Sequence, residues 1–595
     1  MGNAIGKQKK KKKKTEEEEE VYDVVVLGAG ISGLSCARCL LFASSSSSSL
    51  QKTTTMDKNN KNGGTEKKKS LEDVIQSVCV VEAQSEVGGR VKQSTEIAPW
   101  SVELGAEFVH GEERNPVRDL ARCGGTPDLK FSHFEWPDRY AMATKTTTSS
   151  SCSSRNSSDP PEILEIVDGD ECEKNDKDVW KIHQLFDRLP GVSKTSSSSA
   201  SRSNGENDDD DDKAREEDPM SSLSALEWLR DVQKCTEREI RVAELIYATD
   251  FGASLRDIGM REIMIEKERW RNGEQYLVLN GGFNELFQRA FLDEFESRKR
   301  RSSSSSNNNN NDSSDSDNDG VVDVRLNWEV KTVEKERDLI KVTGTSFGKR
   351  KTLHAKKVVV SLPLPMYRPM LAEKKNISRV TFHPPLSEEK QKALRAVKMG
   401  NAVKVLLGFN EKFWPQEDLF NVICDHPAPF PEFWIVSDKE KTITRKEEED
   451  GGGGTNKKNS KKGDVRFVIT FFITGDRANA MAKINPKKRI DLAFKQFVGI
   501  TLQTSDEKEF DRIRAKHLKT SETKVWSEER FAGGSYTHPS VGCTRKTREI
   551  LAKSEWSDTL FFCGEGTNTS VNPCLQGAYE TGVRAANEIL KVSST

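Results

Sequence analysis

The first long apolar run of the chain lies at residues 22–30, where YDVVVLGAG is rich in β-branched side chains. Such a run is typical of a parallel strand that is buried on both faces. The following ISGLSCARCLLFA has apolar side chains at helical spacing, including Ile31, Leu34 and Leu41. A second apolar run, VCVVEA, has Glu82 at its end. The pattern therefore predicts a strand, a tight turn, a helix and a second strand in that order.

Polar tracts of low complexity interrupt this apolar pattern. Only 34% of the 595 residues are hydrophobic and 31% are charged, which is a low apolar content for a packed globule. Tracts of Ser, Asn, Asp, Gly and Lys lack the apolar surface that would offset the entropy of ordering, so we expect them to be unstructured. They cover residues 44–70, 144–160, 195–217, 300–320 and 449–463. The remaining apolar content suits two domains.

Charge and cysteine content limit the class of protein. The 93 basic and 94 acidic residues give a formal net charge of −1, which indicates no general affinity for nucleic acid. Eleven cysteines, without a secretory signal or an apolar run long enough to span a membrane, predict a reduced, cytoplasmic protein. Cys36 and Cys39 have the spacing of a redox pair or half a zinc site, but their position on the predicted helix favours packing. No metal site is predicted.

The turn between the first strand and the helix, GAGISG, has the glycine spacing of a dinucleotide-binding turn. Gly28 would make the tight turn, Gly30 would let the backbone approach a pyrophosphate, and Gly33 would let helix and strand pack closely. The acid that binds the ribose is expected about 20 residues later, but a polar tract occupies that position. Glu82 can supply the acid, because a long insertion in a connection costs little closure entropy. These four residues predict a bound dinucleotide.

The residues after Glu82 indicate which dinucleotide is bound. In EVGGRV, Gly89 and Arg90 place a flexible backbone and a guanidinium directly after the ribose-binding strand. EAQSEVGGRV resembles the FAD signature of the flavin-containing amine oxidases, and VELGAEFVHGEERNPV resembles the flavin-contacting loop of that family. Later segments resemble the same family in the same order: LNGGFNELF, VRLNWEVKTVEKERDLIKVTG, HAKKVVVSLPLPM, FHPPLSEEKQKALRAVKMGNAVKVLLGFNEKFWP and LFFCGEGTNTSVNPCLQGAYETGVRAANEIL. The resemblance spans residues 21–591.

This resemblance implies FAD as the cofactor, with its pyrophosphate and ribose at the glycines and the acid named above. Arg90 would bind the phosphates near the flavin. Gly105 and Ala106 would approach the isoalloxazine ring through their backbone. Val330 matches the residue whose main chain contacts adenine, and Glu565 matches the carboxylate at the ribityl or pyrophosphate region.

The resemblance also assigns two catalytic residues. Lys404, in NAVKVLLGF, matches the lysine that hydrogen-bonds through a water to flavin N5, where an ammonium would stabilise reduced flavin and assist oxygen reduction. The alternative is a surface lysine on a strand. His110, in FVHG, matches a histidine near the substrate tunnel of polyamine oxidases and could accept a proton from the amine, or it is a hydrogen-bonded turn histidine. For Glu107, Glu112 and Glu113, a solvated face is favoured over the tunnel.

The implied reaction is the oxidation of spermine, spermidine or an acetylated polyamine. A hydride passes to flavin N5 from the carbon next to an unprotonated amine nitrogen, and the imine is hydrolysed to an aldehyde and a shorter amine. Oxygen is then reduced to hydrogen peroxide. Two alternatives stay open: a flavin amine oxidase acting on a monoamine, an amino acid or protein lysine, and a flavin-fold scaffold without turnover. No segment resembles a chromatin-binding helical hairpin, which argues against histone lysine as the substrate.

The predicted substrate end departs from the family pattern. Many members have an aromatic residue between G-E-x-T and the following G-A, but the matching position here is near Val571. Gln576 stands where a histidine is usual before G-A. One wall of the aromatic cage around the amine is therefore absent or comes from Phe433, Trp434 or Tyr536.

The N-terminus, MGNAIGKQKKKKKKTEEEEE, resembles a myristoylation signal at Gly2 that is backed by a polybasic run. Gly6 stands where that motif has Ser or Thr, and Glu16 to Glu20 would offset the lysines. A peripheral membrane anchor and a solvated, self-neutralising tail over residues 1–20 therefore both stay open.

The predicted fold class is α/β, with an FAD-binding Rossmann-like parallel-sheet domain interleaved with a mixed α+β substrate domain. We expect the FAD domain at residues 21–125, 275–365 and 525–595, and the substrate domain at 126–274 and 366–524. The substrate domain would include helices at SSLSALEWLRDVQ and EEKQKALRAVK. The flavin would lie where the two domains meet. The sequence leaves the oligomeric state open.

Overall fold

The fold consists of two large sheets with helices packed on their faces, and a computed structural model describes most of the chain. The described residues are 20–45, 75–121, 129–134, 140–144, 164–189, 222–273, 275–305, 320–369, 376–416, 419, 421–425, 428–437, 464–570 and 574–593. The predicted tail before residue 20, Val571 and most of each polar tract lie outside these ranges. Two helices, Ile31–Ser45 and Asp293–Ser305, continue a few residues into tracts that we expected to be unstructured.

Twenty strands are described. In chain order they are β1 Val21–Leu27, β2 Ser77–Val81, β3 Gln93–Ser94, β4 Val102–Glu103, β5 Phe108–His110, β6 Phe131–Phe134, β7 Tyr140–Thr144, β8 Glu165–Asp168, β9 Tyr276–Leu279, β10 Val321–Arg325, β11 Trp328–Glu336, β12 Leu339–Ser346, β13 Lys349–Val360, β14 Thr381–His383, β15 Ala402–Phe409, β16 Asn421–Cys424, β17 Glu432–Ser437, β18 Phe467–Thr474, β19 Leu518–Val525 and β20 Leu560–Phe562.

The described α-helices lie between these strands. They are Ile31–Ser45, Pro116–Leu120, Gly169–Asn175, Lys177–Asp187, Ala225–Glu227, Glu237–Phe251, Met260–Arg269, Phe283–Phe287, Asp293–Ser305, Glu388–Ala396, Gly475–Ala482, Pro486–Leu502, Glu507–His517, Arg545–Ala552 and Leu575–Ser593.

The first sheet is the predicted Rossmann-like sheet. The apolar run near the start of the chain forms β1. This strand belongs to an eight-stranded sheet ordered β10-β2-β1-β13-β12-β11-β14, in which β20 also pairs with β13. β1 is parallel to β2 and β13, and β10 and β20 extend the parallel part. β11, β12 and β13 are joined by two antiparallel hairpins. Val24, Val25, Val26 and Leu27 are fully buried, as expected of a strand covered on both faces.

The second sheet is mixed, as predicted for the substrate domain. Its seven strands are ordered β19-β15-β18-β17-β16-β7-β8. All of its pairs are antiparallel except β16 with β7. The predicted helix in SSLSALEWLRDVQ is present as Ala225–Glu227, continued by a π-helical turn at Trp228–Val232. Every residue of β15, AVKVLLGF, is buried because other strands flank it and helices cover it.

The structure moves one expected domain boundary. Residues 366–397 were assigned to the substrate domain, but β14 pairs with β11 of the first sheet. Leu394, on the helix Glu388–Ala396, packs into the core beside Val342 and Phe562 of that sheet. The helix predicted at EEKQKALRAVK is therefore correct, but its assignment to the substrate domain is wrong, because its apolar face covers the first sheet. The second sheet resumes only at β15.

A small sheet ordered β5-β9-β6 lies beside the two large ones. Its β6 falls in the range assigned to the substrate domain, yet Phe131 packs against the core of the first sheet. Cys36 is fully buried in the same core and Cys39 packs partly against it, both as free thiols, which confirms the packing interpretation. Within the described ranges, no helix is both long enough and apolar enough to cross a membrane.

Gly582 is needed where the first and last helices cross. A Cβ atom at this position would lie 2.1 Å from both the Ser32 carbonyl oxygen and the Ser35 hydroxyl. We expect Gly582→Ala to push the helices apart at a cost of about 1–3 kcal/mol and to lower the thermal unfolding midpoint by several degrees. Gly499→Ala is the matched control, since a Cβ there comes no closer than 3.2 Å to another residue. Equal midpoints for the two variants would contradict the close packing.

Candidate active site

A cavity of about 810 Å³ lies where the two large sheets meet, and both contribute to its walls. One end is formed by the carboxyl ends of β1 and β2, the glycine turn and residues of β11. The other end is formed by β15, β16, β17 and the helices Glu237–Phe251 and Met260–Arg269. In open α/β sheets the carboxyl ends of the strands are the usual place for a ligand.

The three glycines of the turn meet three different constraints. Gly28 has φ +101°, a value that permits the turn at the end of β1, and its N–H donates to the Val81 carbonyl of β2 at 2.8 Å. A Cβ at Gly30 would touch nothing within 4 Å, so the backbone there is open towards the cavity. A Cβ at Gly33 would lie 2.1 Å from the Gly28 carbonyl oxygen, and this glycine does not line the cavity. The geometry agrees with the predicted roles, while the pyrophosphate contact stays a prediction.

Glu82 lies at the end of β2, directly beside this turn. One carboxylate oxygen accepts the Ala29 N–H at 2.8 Å and the other accepts the Gln84 N–H at 2.9 Å. Burial raises the pKa of the carboxyl, while these two N–H groups act in the opposite direction. Glu82 lines the cavity, and each of its carboxylate oxygens can accept a second hydrogen bond, which suits a ribose diol. Val330 lines the same end of the cavity, while its contact with adenine stays a prediction.

Arg90 and Glu565, assigned separately to FAD from the sequence, form one ion pair with an N–O distance of 2.7 Å. The Arg90 guanidinium also donates to the Ser535 carbonyl at 2.9 Å. Gly105 packs tightly behind it, since a Cβ there would lie 1.8 Å from the Arg90 carbonyl oxygen. Gly89, in a left-handed conformation at φ +62°, and Ala106 complete this stretch of wall. Open backbone, a guanidinium and a buried acid beside the turn together fit a flavin dinucleotide.

Lys404 lies in the middle of β15, and its side chain is 4% exposed. Its ammonium donates to the carbonyls of Glu103 and Gly105, both at 3.1 Å, and to the Glu107 carboxylate at 2.8 Å. The alternative of a surface lysine is therefore wrong. The expectation of a solvated Glu107 is also wrong, because its side chain is 10% exposed and lines the cavity. Sequence alone gave no sign of this pairing, since the two residues lie 297 positions apart.

His110 ends β5 and lines the cavity with its ring 4.8 Å from the Tyr276 ring. Burial lowers the pKa of the imidazole to about 4, so it is neutral at physiological pH. Gln576, at the position where the family has a histidine, donates to the His110 carbonyl at 2.8 Å. Glu112 pairs with Arg118 at 2.9 Å and does not line the cavity, in agreement with the expectation for this acid.

Two acids that the sequence analysis missed face the substrate end of the cavity. Asp250, in the last turn of the helix Glu237–Phe251, is accessible from the cavity but enclosed by protein, and burial raises its pKa to about 7. Burial likewise raises the pKa of Glu432, at the start of β17, to about 7. An acid at a helix C-terminus opposes the helix dipole, and an acid opening the apolar strand EFWIVS is unusual, so both were detectable signals.

Aromatic side chains cover much of the remaining wall. Of the three residues expected to replace the missing cage wall, Trp434 and Tyr536 line the cavity. Phe433 does not, because it points into the core and packs 5.2 Å from the Phe471 ring. Further aromatic side chains at the cavity wall are Phe108, Tyr247, Trp270, Tyr276 and Phe472.

Comparison with known proteins gives sequence relatives of several substrate classes. The chain is 25% identical to polyamine oxidase 3 of Oryza sativa subsp. japonica over 268 residues, which is 45% of each chain. It is 25% identical to lysine-specific histone demethylase 1B of Mus musculus over 272 residues, covering 45% of this chain and 28% of the relative. The chain thus spans less than half the length of these relatives.

Solved structures match over nearly the whole chain. A putrescine oxidase bound to putrescine superposes with a TM-score of 0.61 at 14% identity, covering 96% of this chain and 99% of that one. Cyclohexylamine oxidase from Brevibacterium oxydans IH-35A gives 0.61 at 16% identity, with 96% and 100% covered. At this identity the likeness shows the fold. The family model for flavin containing amine oxidoreductase matches residues 31–590. The chain therefore belongs to the flavin-containing amine oxidoreductases, with FAD as cofactor, which confirms the family and the α/β fold class predicted from the sequence.

Proposed function

We propose that this protein oxidises a polyamine in the cavity, with FAD and oxygen, and releases hydrogen peroxide. The observation that carries the proposal is the wall opposite the FAD end, where Asp250 and Glu432 lie among aromatic rings. Carboxylates attract cations, and aromatic faces bind alkylammonium groups. A substrate with several amines can be held there by one ammonium while a carbon beside another nitrogen reacts.

The residues of the chain have separate parts in this proposal. Bound FAD would supply the hydride acceptor and, through its reaction with oxygen, the source of the hydrogen peroxide. The neutral imidazole of His110 lines the cavity and can accept a hydrogen bond from the reacting amine, and its low pKa makes it a weak base. Asp250 and Glu432 hold the distant ammonium, and the aromatic rings exclude water around the reacting C–H bond.

The relatives support an amine substrate of this kind without deciding its size. Polyamine oxidase 3 and putrescine oxidase carry names that refer to polyamines or a diamine, whereas the demethylases refer to protein lysine. The two acids at the cavity wall favour a small molecule with at least two cationic groups over a monoamine. The membrane anchor predicted at Gly2 and the cytoplasmic location remain proposals that concern the chain outside the cavity.

Anaerobic mixing tests the proposal directly. The purified flavoprotein is mixed under nitrogen with spermine, spermidine, an acetylated polyamine, a monoamine and an amino acid in turn, and the flavin absorption is followed. We expect a polyamine to bleach the flavin fastest and to yield peroxide when air returns. Bleaching only by another amine would overturn the polyamine assignment. Bleaching by none of them would favour the scaffold without turnover.

Substitutions at the two acids test the assignment of the cavity wall. We expect Asp250→Asn and Glu432→Gln each to raise KM for the polyamine by about 10- to 100-fold, the effect of removing a charged hydrogen bond. KM for a monoamine of similar length should change much less. Asp257→Asn is the matched control, because the Asp257 side chain is 53% exposed. Equal increases of KM for both substrates would contradict the proposed role.

The pKa values of these acids predict a pH dependence of binding. Burial raises the carboxyl pKa of both Asp250 and Glu432 to about 7, so both are largely neutral below that pH and ionised above it. A bis-guanidine stays charged throughout, and its inhibition constant should therefore fall as pH rises through about 7. The double variant Asp250→Asn, Glu432→Gln should lose this dependence. A pH-independent inhibition constant in the unmodified protein would show that neither acid binds the cation.

A further inference from the structure

All three hydrogens of the Lys404 ammonium have acceptors. Two are main-chain carbonyls, of Glu103 and Gly105, and the third is the Glu107 carboxylate. A neutral amine has only two hydrogens, so its lone pair would have to face one of these acceptors. The arrangement therefore requires the charged form of the lysine. It also leaves no lysine hydrogen for a further partner while all three bonds are made.

Glu107 is held in this position from a second side. Its other carboxylate oxygen accepts the indole N–H of Trp434 at 3.0 Å. The Trp434 ring also lies 5.3 Å from the Lys404 nitrogen, within the range of a cation–π contact. Trp434 and Lys404 each donate to one oxygen of the Glu107 carboxylate. The carboxylate is thus held by the indole and in turn holds the ammonium in place. An ion pair of this kind is costly to break when buried, because the remaining charge has no partner.

We propose that Glu107 is the positioning residue for Lys404: it holds the lysine as an immobile ammonium and cancels most of its charge at the flavin end of the cavity. The flavin then lies beside a nearly neutral pair rather than beside a free cation. The inference rests on the proposed function in one respect, that Lys404 faces the flavin. It does not depend on which amine is oxidised.

The other charged groups near Lys404 do not replace Glu107. Those that approach Lys404 or the strands beside it are Glu103, Glu432, Lys524 and Arg489. Burial raises the pKa of the Glu103 carboxyl to about 7, and its charge is directed to the N–H of Phe283 at 3.0 Å. Lys524, opposite Lys404 on β19, pairs with Glu529. Among the charged side chains of the described residues, only the Glu107 carboxylate forms an ion pair with the Lys404 ammonium.

The midpoint potential of the bound flavin tests this inference without any substrate. Glu107→Gln keeps the size and hydrogen-bonding shape but leaves the ammonium uncompensated, so we expect the potential to shift upwards. Lys404→Met leaves the carboxylate uncompensated, and we expect a downward shift. The double variant should return close to the unmodified potential. Glu107→Asp, which keeps the charge, should restore most of the original value.

Glu112→Gln is the matched control, because it removes a carboxylate five residues away that does not line the cavity. It should leave the potential unchanged. Shifts of the two single variants in the same direction, or a double variant as displaced as either, would overturn the inference. If Glu107→Gln alone does not retain FAD, the double variant is compared with Lys404→Met, and equal potentials for these two would overturn the inference because the Glu107 charge would then have no effect at the flavin. The flavin potential is measured without an amine. A protein that fails to oxidise polyamines would therefore still show these shifts, and the two failures can be distinguished.

Discussion

The buried ammonium of Lys404 joins the two sheets of the protein at the wall of the cavity. The lysine belongs to β15 of the second sheet, whereas the carbonyls of Glu103 and Gly105 lie at the end of β4 and just after it. A buried cation must keep its partners, since water cannot replace them. Gly105 in turn packs against the Arg90 backbone, whose side chain pairs with Glu565 near the end of the chain. The contacts among residues beside the glycine turn thus continue into the second sheet.

A dinucleotide and a cationic amine have opposite charges and would need different surroundings within the cavity. A dinucleotide carries negative phosphates, and the end that suits it offers open backbone at Gly30 and the Arg90 guanidinium. A cationic amine needs the reverse, and Asp250 and Glu432 provide it at the other end. The Lys404–Glu107 ion pair also lines the cavity, where the two opposite charges largely offset each other. Because low local polarity strengthens charge interactions, this separation matters more here than on an open surface.

The parts of the fold with strong local patterns could be predicted from the sequence. The apolar β1, the glycine turn and Glu82 were recognisable despite a long insertion, because each is fixed by local backbone chemistry. Contacts between distant segments could not be predicted in this way. Glu107 lies in a short segment between β4 and β5 and has the local appearance of a loop acid, and only the tertiary fold brings it to Lys404. The helix Glu388–Ala396 was predicted as a helix, but its amphipathic pattern does not say which sheet it covers.

The first helix and the second strand place the sequence that connects them far from the chemistry. The helix Ile31–Ser45 has 15 residues, so its far end lies about 22 Å from the glycine turn where it begins. β2 starts at Ser77, at the same edge of the sheet, and runs back to Glu82 beside the cavity. Both ends of the intervening sequence are therefore attached at the amino-terminal ends of the strands, on the side opposite the cavity. This edge offers a place to graft a reporter domain or an affinity handle, because residues added there leave the cavity wall unchanged.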